Sequence, residues 1–292
     1  MSEWIEREDP PGSPAALEPR PAAAVQRLML LLSAPPERRW EMARSEGFRD
    51  LDLAHLLLEK AVAAQSQDVV LAEELARLAL VIAERFEEDR WVEWTDTVKA
   101  RACTVLGNLL RLEQDWDGAE ALFRDAAFLL TGPPDSRERA FYCQNLARLR
   151  EEQGETEEAA ALLWRAARIY REKGVRREEG LCLAQLGFLH LEEERLERAV
   201  PPLTRACQTL EARVDAVCYV HCSLALAWCH ASLGESEKSV SFLEVARSLY
   251  PWLPADEPLI HVLGFEGKMA ALAGIRYAAV ELEALLADRL YA

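Results

Sequence analysis

Cys218, Cys222 and Cys229 fall at i, i+4 and i+11, which puts three thiols on one face of a helix, with His221 and His230 beside them. Thiolates and imidazoles are ligands that zinc takes. The tight CxxC knuckle that usually joins two chain segments at a structural zinc is missing. Cysteine also packs as a small hydrophobe and is among the most buried residue types. Core packing is therefore the expected role, and neither a metal nor any other cofactor is expected. The carboxylate runs Glu151-Glu152, Glu178-Glu179 and Glu192-Glu193-Glu194 are candidates for acid–base chemistry. They fall at helix ends or turns, where solvated charge is the simpler reading. Catalysis needs a nucleophile, a base and an orienting group converging in space. The chain has no GxGxxG, Walker A, HExxH or GxSxG segment, so a non-catalytic protein is expected.

Composition narrows the partner. The chain has 292 residues, 34 Lys+Arg against 50 Asp+Glu, and a net charge of −16. Phosphate binding needs a basic footprint, so neither nucleic acid nor an anionic membrane is expected as the main partner. No apolar run is long enough for a transmembrane helix, and residues 1–21 hold five carboxylates and several prolines instead of a signal sequence. Seven cysteines, an odd number within helical patterns, fit reduced thiols in a cytoplasm.

The elements that position these residues recur with a period of 40. Stepping from Gly107 gives Ala147, Gly187, Ala227 and Gly267; stepping from Ala119 gives Ala159, Ala199, Ser239 and Ala279. Phe123 leads to Leu163, Leu203 and Leu243, and Ala126 to Ala166, Ala206 and Ala246. Within a unit, Ala159, Leu163 and Ala166 recur at i, i+4 and i+7, one face of a helix. Gly154, Gly234 and Gly274 share a column between two helices, with Thr156 and Ser236 as the expected N-caps. Each unit is thus expected to be a helix hairpin, with small residues where its helices cross. Pro201-Pro202 suits only the start of a helix, so that helix is expected to begin late.

The groups Gly107–Ala119–Phe123–Ala126, Ala147–Ala159–Leu163–Ala166 and Gly187–Ala199–Leu203–Ala206 resemble the tetratricopeptide repeat (TPR) family, whose usual period is about 34 residues. The match covers roughly residues 99–290 and implies a longer-helix variety. The fold it implies is all-α, a right-handed α-solenoid of stacked antiparallel helix hairpins. The expected organisation is a disordered acidic, Pro-rich tail over 1–20 and capping helices over 21–50. A divergent first hairpin follows over 51–98, then an array of about five repeats over 99–292, the last a degenerate cap.

In TPR proteins the first helix of each hairpin lines a concave groove that holds peptide segments. Carried over by position, the resemblance puts Arg101, Asn108 and Arg111 in the groove, then Phe141, Gln144 and Arg148. Phe188 follows, with His221, Trp228 and Lys268 further along. Arginines and amides suit a carboxylate, and aromatics suit apolar anchors. The expected partner is a protein or peptide segment with acidic and hydrophobic residues. The alternative place for Phe188 and Trp228 is packing between neighbouring hairpins. The implied function is a cytoplasmic adaptor or scaffold of bacterial style. A regulatory or sensor subunit controlling a protease, kinase or transcription factor is the other reading. A homodimer stays open, because solenoid ends with apolar residues often pair.

Overall fold

The structure is a computed structural model and describes residues 22–65, 67–86, 92–130 and 136–253. Lys268, the tail over 1–20, the last repeat of the 40-residue period and Gly274 lie outside the described residues. The chain divides into two compact units, Met1–Leu149 and Arg150–Ala292. The described residues form helices and no strands.

The first unit opens with α1 (Ala22–Ser33), α2 (Pro36–Ala43), α3 (Leu51–Ala64) and α4 (Val69–Ala83). The pair α5 (Val92–Leu112) and α6 (Trp116–Leu129) follows, and then α7 (Arg137–Glu152), which is cut by the division. Asp50, Asp68 and Asp115 cap α3, α4 and α6 by accepting backbone N–H bonds. Leu31, Leu53, Leu57, Ala72, Ala76, Ile82, Val98 and Val105 join α1, α3, α4 and α5 in one core. Helices α5 and α6 cross closely at Gly107. A Cβ there would stand 3.3 Å from Phe123 Cε2, and Phe123 is 1% exposed.

The second unit holds α8 (Thr156–Glu172), α9 (Arg176–Glu192), α10 (Leu196–Thr209), α11 (Ala216–Ser232) and α12 (Ser236–Leu249), with a short 3-10 turn at Tyr250–Trp252. The helices pair in sequence, α9 with α10 and α11 with α12, as the period predicts. The repeat columns become the seams: Ala159, Leu163, Ala166, Ala199, Leu203 and Ala206 are all fully buried.

Two local expectations fail. Helix α10 does not start late; it starts at Leu196 and carries Pro201 and Pro202 inside it. Each proline removes an i→i−4 hydrogen bond. Burial of Ala199, Pro202, Leu203 and Ala206 against neighbouring helices offsets that loss. Thr156 and Ser236 are not the N-caps either. Glu155 and Glu235 hold those positions, without a side-chain cap bond. The cause is the preceding turn. Gly154 and Gly234 take φ of 79° and 80°, and the next residue bonds back five positions, Glu155 N to Arg150 O and Glu235 N to His230 O. This Schellman-type ending leaves one residue before the following helix begins.

Candidate partner-binding surface

In the first unit the predicted stripe of α5 turns inward. Asn108 is 1% exposed and Arg111 is 8% exposed. Asn108 Nδ2 donates to Gln65 Oε1 at 3.0 Å, and Asn108 Oδ1 accepts from Arg111 Nε at 3.0 Å. These groups tie the end of α3 to α5 and are not presented to solvent, which corrects their assignment as open groove residues. The reason is side-by-side packing of first helices, which leaves polar atoms with protein partners in place of water. Arg101 is half-buried, its guanidinium 4.8 Å from the Phe141 ring centre and 3.9 Å from a Glu138 oxygen. Gln144 and Arg148 are half-buried on α7. Arg101, Phe141 and Glu138 thus form a stack between α5 and α7.

In the second unit the geometry is different. An open concavity of about 370 Å³ lies between the starts of α9 and α11. Its walls include Arg177, Leu181, Val214, Cys218, His221 and Trp252. His221 is one of the expected groove residues, and Leu181 lies two helical turns before Phe188 on α9, so the first helices of two successive hairpins meet at one hollow. Asp215, with its side chain 3% exposed, accepts from Arg177 Nε at 2.6 Å and fixes the arginine at the rim. The Arg213 guanidinium sits 4.5 Å from the Trp252 ring centre, and that ring is half exposed. The rim thus offers cationic groups beside an exposed aromatic. Sequence reasoning missed Arg177, Arg213, Val214 and Trp252. The last three lie in turns outside the repeated columns, where a period gives no signal.

Phe188 and Trp228 are half-buried in the same unit. Trp228 packs against the core of Val220, Leu224, Ala227, Leu243 and Ala246, so its ring is largely spent on the α11–α12 seam. His230 is buried, stacked on Phe242 with ring centres 5.5 Å apart, and its Nδ1 lies 2.6 Å from Glu235 Oε2. Cys182, Cys222 and Cys229 are buried, Cys207 and Cys218 half-buried, and all are free thiols. No group of three or more His, Cys, Asp or Glu among the described residues is placed to hold a metal ion. No helix among them is long and apolar enough to cross a membrane.

No protein-family model matches the sequence, and no curated protein matches it. Solved structures do. BtubC (BKLC) from P. vanneervenii is 17% identical, with a TM-score of 0.60 over 81% of this chain and 94% of that one. PilW, a widely conserved type IV pilus biogenesis factor, is 20% identical, with a TM-score of 0.54 over 82% and 95%. A Podosopora anserina structure of nearly identical TPR-like repeats is 18% identical, with a TM-score of 0.50 over 68% and 96%. At these identities the likeness concerns the fold. The chain has the all-α, helix-hairpin solenoid fold of tetratricopeptide-repeat proteins.

Proposed function

We propose that the protein is a non-catalytic interaction module, an adaptor or scaffold, that holds a partner protein in the α9/α11 concavity. The observation that carries this reading is the hollow of about 370 Å³, with Leu181 and Trp252 as apolar wall, the Arg177–Asp215 pair in its lining and Arg213 stacked on the Trp252 ring. Such a surface suits a segment that pairs an apolar anchor with a carboxylate. Solved proteins of this fold include a pilus biogenesis factor and TPR-like repeats, so the framework does not set the partner and the residues of the hollow must. The proposed compartment is the cytoplasm, where free thiols such as these persist.

The test compares affinity capture from the source cell by the wild type, by Leu181→Glu and by Trp164→Ala on the exposed face of α8. A partner held by the wild type and by Trp164→Ala, but lost at least roughly tenfold with Leu181→Glu, supports the hollow as the site. Equal capture by Leu181→Glu refutes it. Purified partner then separates an adaptor, which leaves the partner's activity unchanged, from a regulator, which switches it.

A further inference from the structure

A second cleft opens in the unit that begins at Arg150, and it shares no residue with the hollow between α9 and α11. Its lining includes Trp164, Arg168 and Arg171 from α8, Glu179 and Leu183 from α9, and Arg205 from α10. Trp164, Arg168 and Arg171 fall at i, i+4 and i+7, so α8 presents an aromatic ring and two guanidiniums along one stripe. The Trp164 ring is half exposed, and all three arginines are exposed.

Little of this positive charge is used within the fold. Glu179 is buried and accepts from Arg205 Nε at 3.1 Å. That bond holds the guanidinium by one edge and leaves its two terminal nitrogens without a hydrogen bond among the described residues. Arg168 lies 3.8 Å from Glu172 on its own helix, with both side chains exposed, a pair that adds little in water. Arg171 has no ion pair among the described residues. Three guanidiniums beside one lining carboxylate make a cationic island on a chain whose net charge is −16.

Shape and surroundings narrow the ligand. The enclosed space is about 10 Å³, room for one water-sized group. Sites for small molecules are much deeper, roughly 300–1,000 Å³. A carboxylate oxygen fits this space, while the rest of its ligand must lie across the open surface. A phosphate backbone needs a longer basic track than this one. The stripe on α8 ends in carboxylates instead, Glu157 on one side and Glu172 on the other.

We propose that the α8–α10 cleft is a second docking site, which takes an acidic segment of a partner protein. One carboxylate of the segment enters beside Arg205, and its neighbours pair with Arg168 and Arg171. The aliphatic stems of those acidic side chains lie on the Trp164 ring. The chemistry differs from that of the hollow, because charge binds here without an apolar anchor. The chain thereby has two separate surfaces, which is what bridging two partners requires.

The test titrates a fluorescently labelled hexaglutamate peptide with the full chain and follows anisotropy, with hexaglutamine as the uncharged control. Arg171→Glu should weaken binding at least roughly tenfold, and Trp164→Ala roughly threefold. Arg124→Glu makes the same change of charge on the exposed face of α6, and Leu181→Glu blocks the hollow; each should change affinity less than about twofold. Raising the salt from about 50 mM to about 300 mM should weaken binding to the wild type severalfold. Far-UV circular dichroism confirms that each variant is folded. Equal affinity of the wild type and Arg171→Glu overturns the proposal, as does no binding by the wild type. A loss with Leu181→Glu as large as that with Arg171→Glu moves the peptide to the hollow and overturns it too. Tighter binding of a thymidine oligonucleotide, lost with Arg171→Glu, assigns the cleft to nucleic acid and refutes a protein partner there.

Discussion

Glu194 should become a better residue for its place when replaced by glycine. The turn column Gln114, Gly154, Glu194 and Gly234 repeats every 40 residues, and all four take positive φ, at 64°, 79°, 57° and 80°. At each, the residue itself bonds back three positions and its successor five; for Glu194 these are Glu194 N to Leu191 O and Arg195 N to His190 O. A side chain in the left-handed region costs roughly 1–2 kcal/mol, and a glycine returns about 0.5–1 kcal/mol of that through its freer unfolded chain. The net gain for Glu194→Gly is about 0.5–1 kcal/mol. Removing a negative charge from the end of α9 adds a few tenths. Glu194 is exposed, so lost packing does not cloud the comparison. Glu194→Gln isolates the charge. Urea unfolding followed by far-UV circular dichroism should show Glu194→Gly beyond Glu194→Gln by roughly 0.3–0.7 M in midpoint. Gly154→Ala should shift the other way by about 1 kcal/mol. If Glu194→Gly is no more stable than Glu194→Gln, the left-handed turn is wrong and the Schellman ending of α9 fails with it.

Gly187→Ala should destabilise the second unit by about 1–2 kcal/mol in the same assay. The new Cβ meets Leu203 Cγ at 2.4 Å, Leu203 is fully buried, and overpacking outweighs the helical gain of alanine. Gly107→Ala, whose nearest contacts are 3.3–3.4 Å, should be near neutral. Phe123→Ala should cost about 3–5 kcal/mol and Trp164→Ala under about 0.5 kcal/mol, because one ring is buried and the other half exposed. His190 is held below its ordinary value, first by burial and then by Arg195 and Arg198. The unfolded chain therefore binds the proton more readily, and stability present above about pH 6.5 is lost as the pH falls through the folded value. Urea midpoints at about pH 7.5 and about pH 5.5 should differ less for His190→Gln than for the wild type.

The repeat was legible before any coordinates. Small residues such as Ala119, Ala159 and Ala199 mark seams because only a small side chain lets two helices approach, and that restriction is written into residue type. The positive-φ turn was legible only at Gly154 and Gly234. Gln114 and Glu194 hide the same backbone because the hydrogen bonds of the turn impose it whatever the side chain. Of the expected groove residues, His221 lines the hollow. Asn108 and Arg111 were expected to line the groove too, and the structure buries them. A period says which residues share a face; it does not say whether a neighbouring helix, here the end of α3 with Gln65, covers that face.

Sequence by itself determined the hairpins, their pairing and the class of fold, because each follows from local spacing and side-chain size. Tertiary structure alone decided which polar stripe is spent internally and which lines a cavity. It also brought Arg213 onto the Trp252 ring and Arg177 to Asp215. Those meetings join residues from turns and different helices, and their distances depend on how whole helices pack.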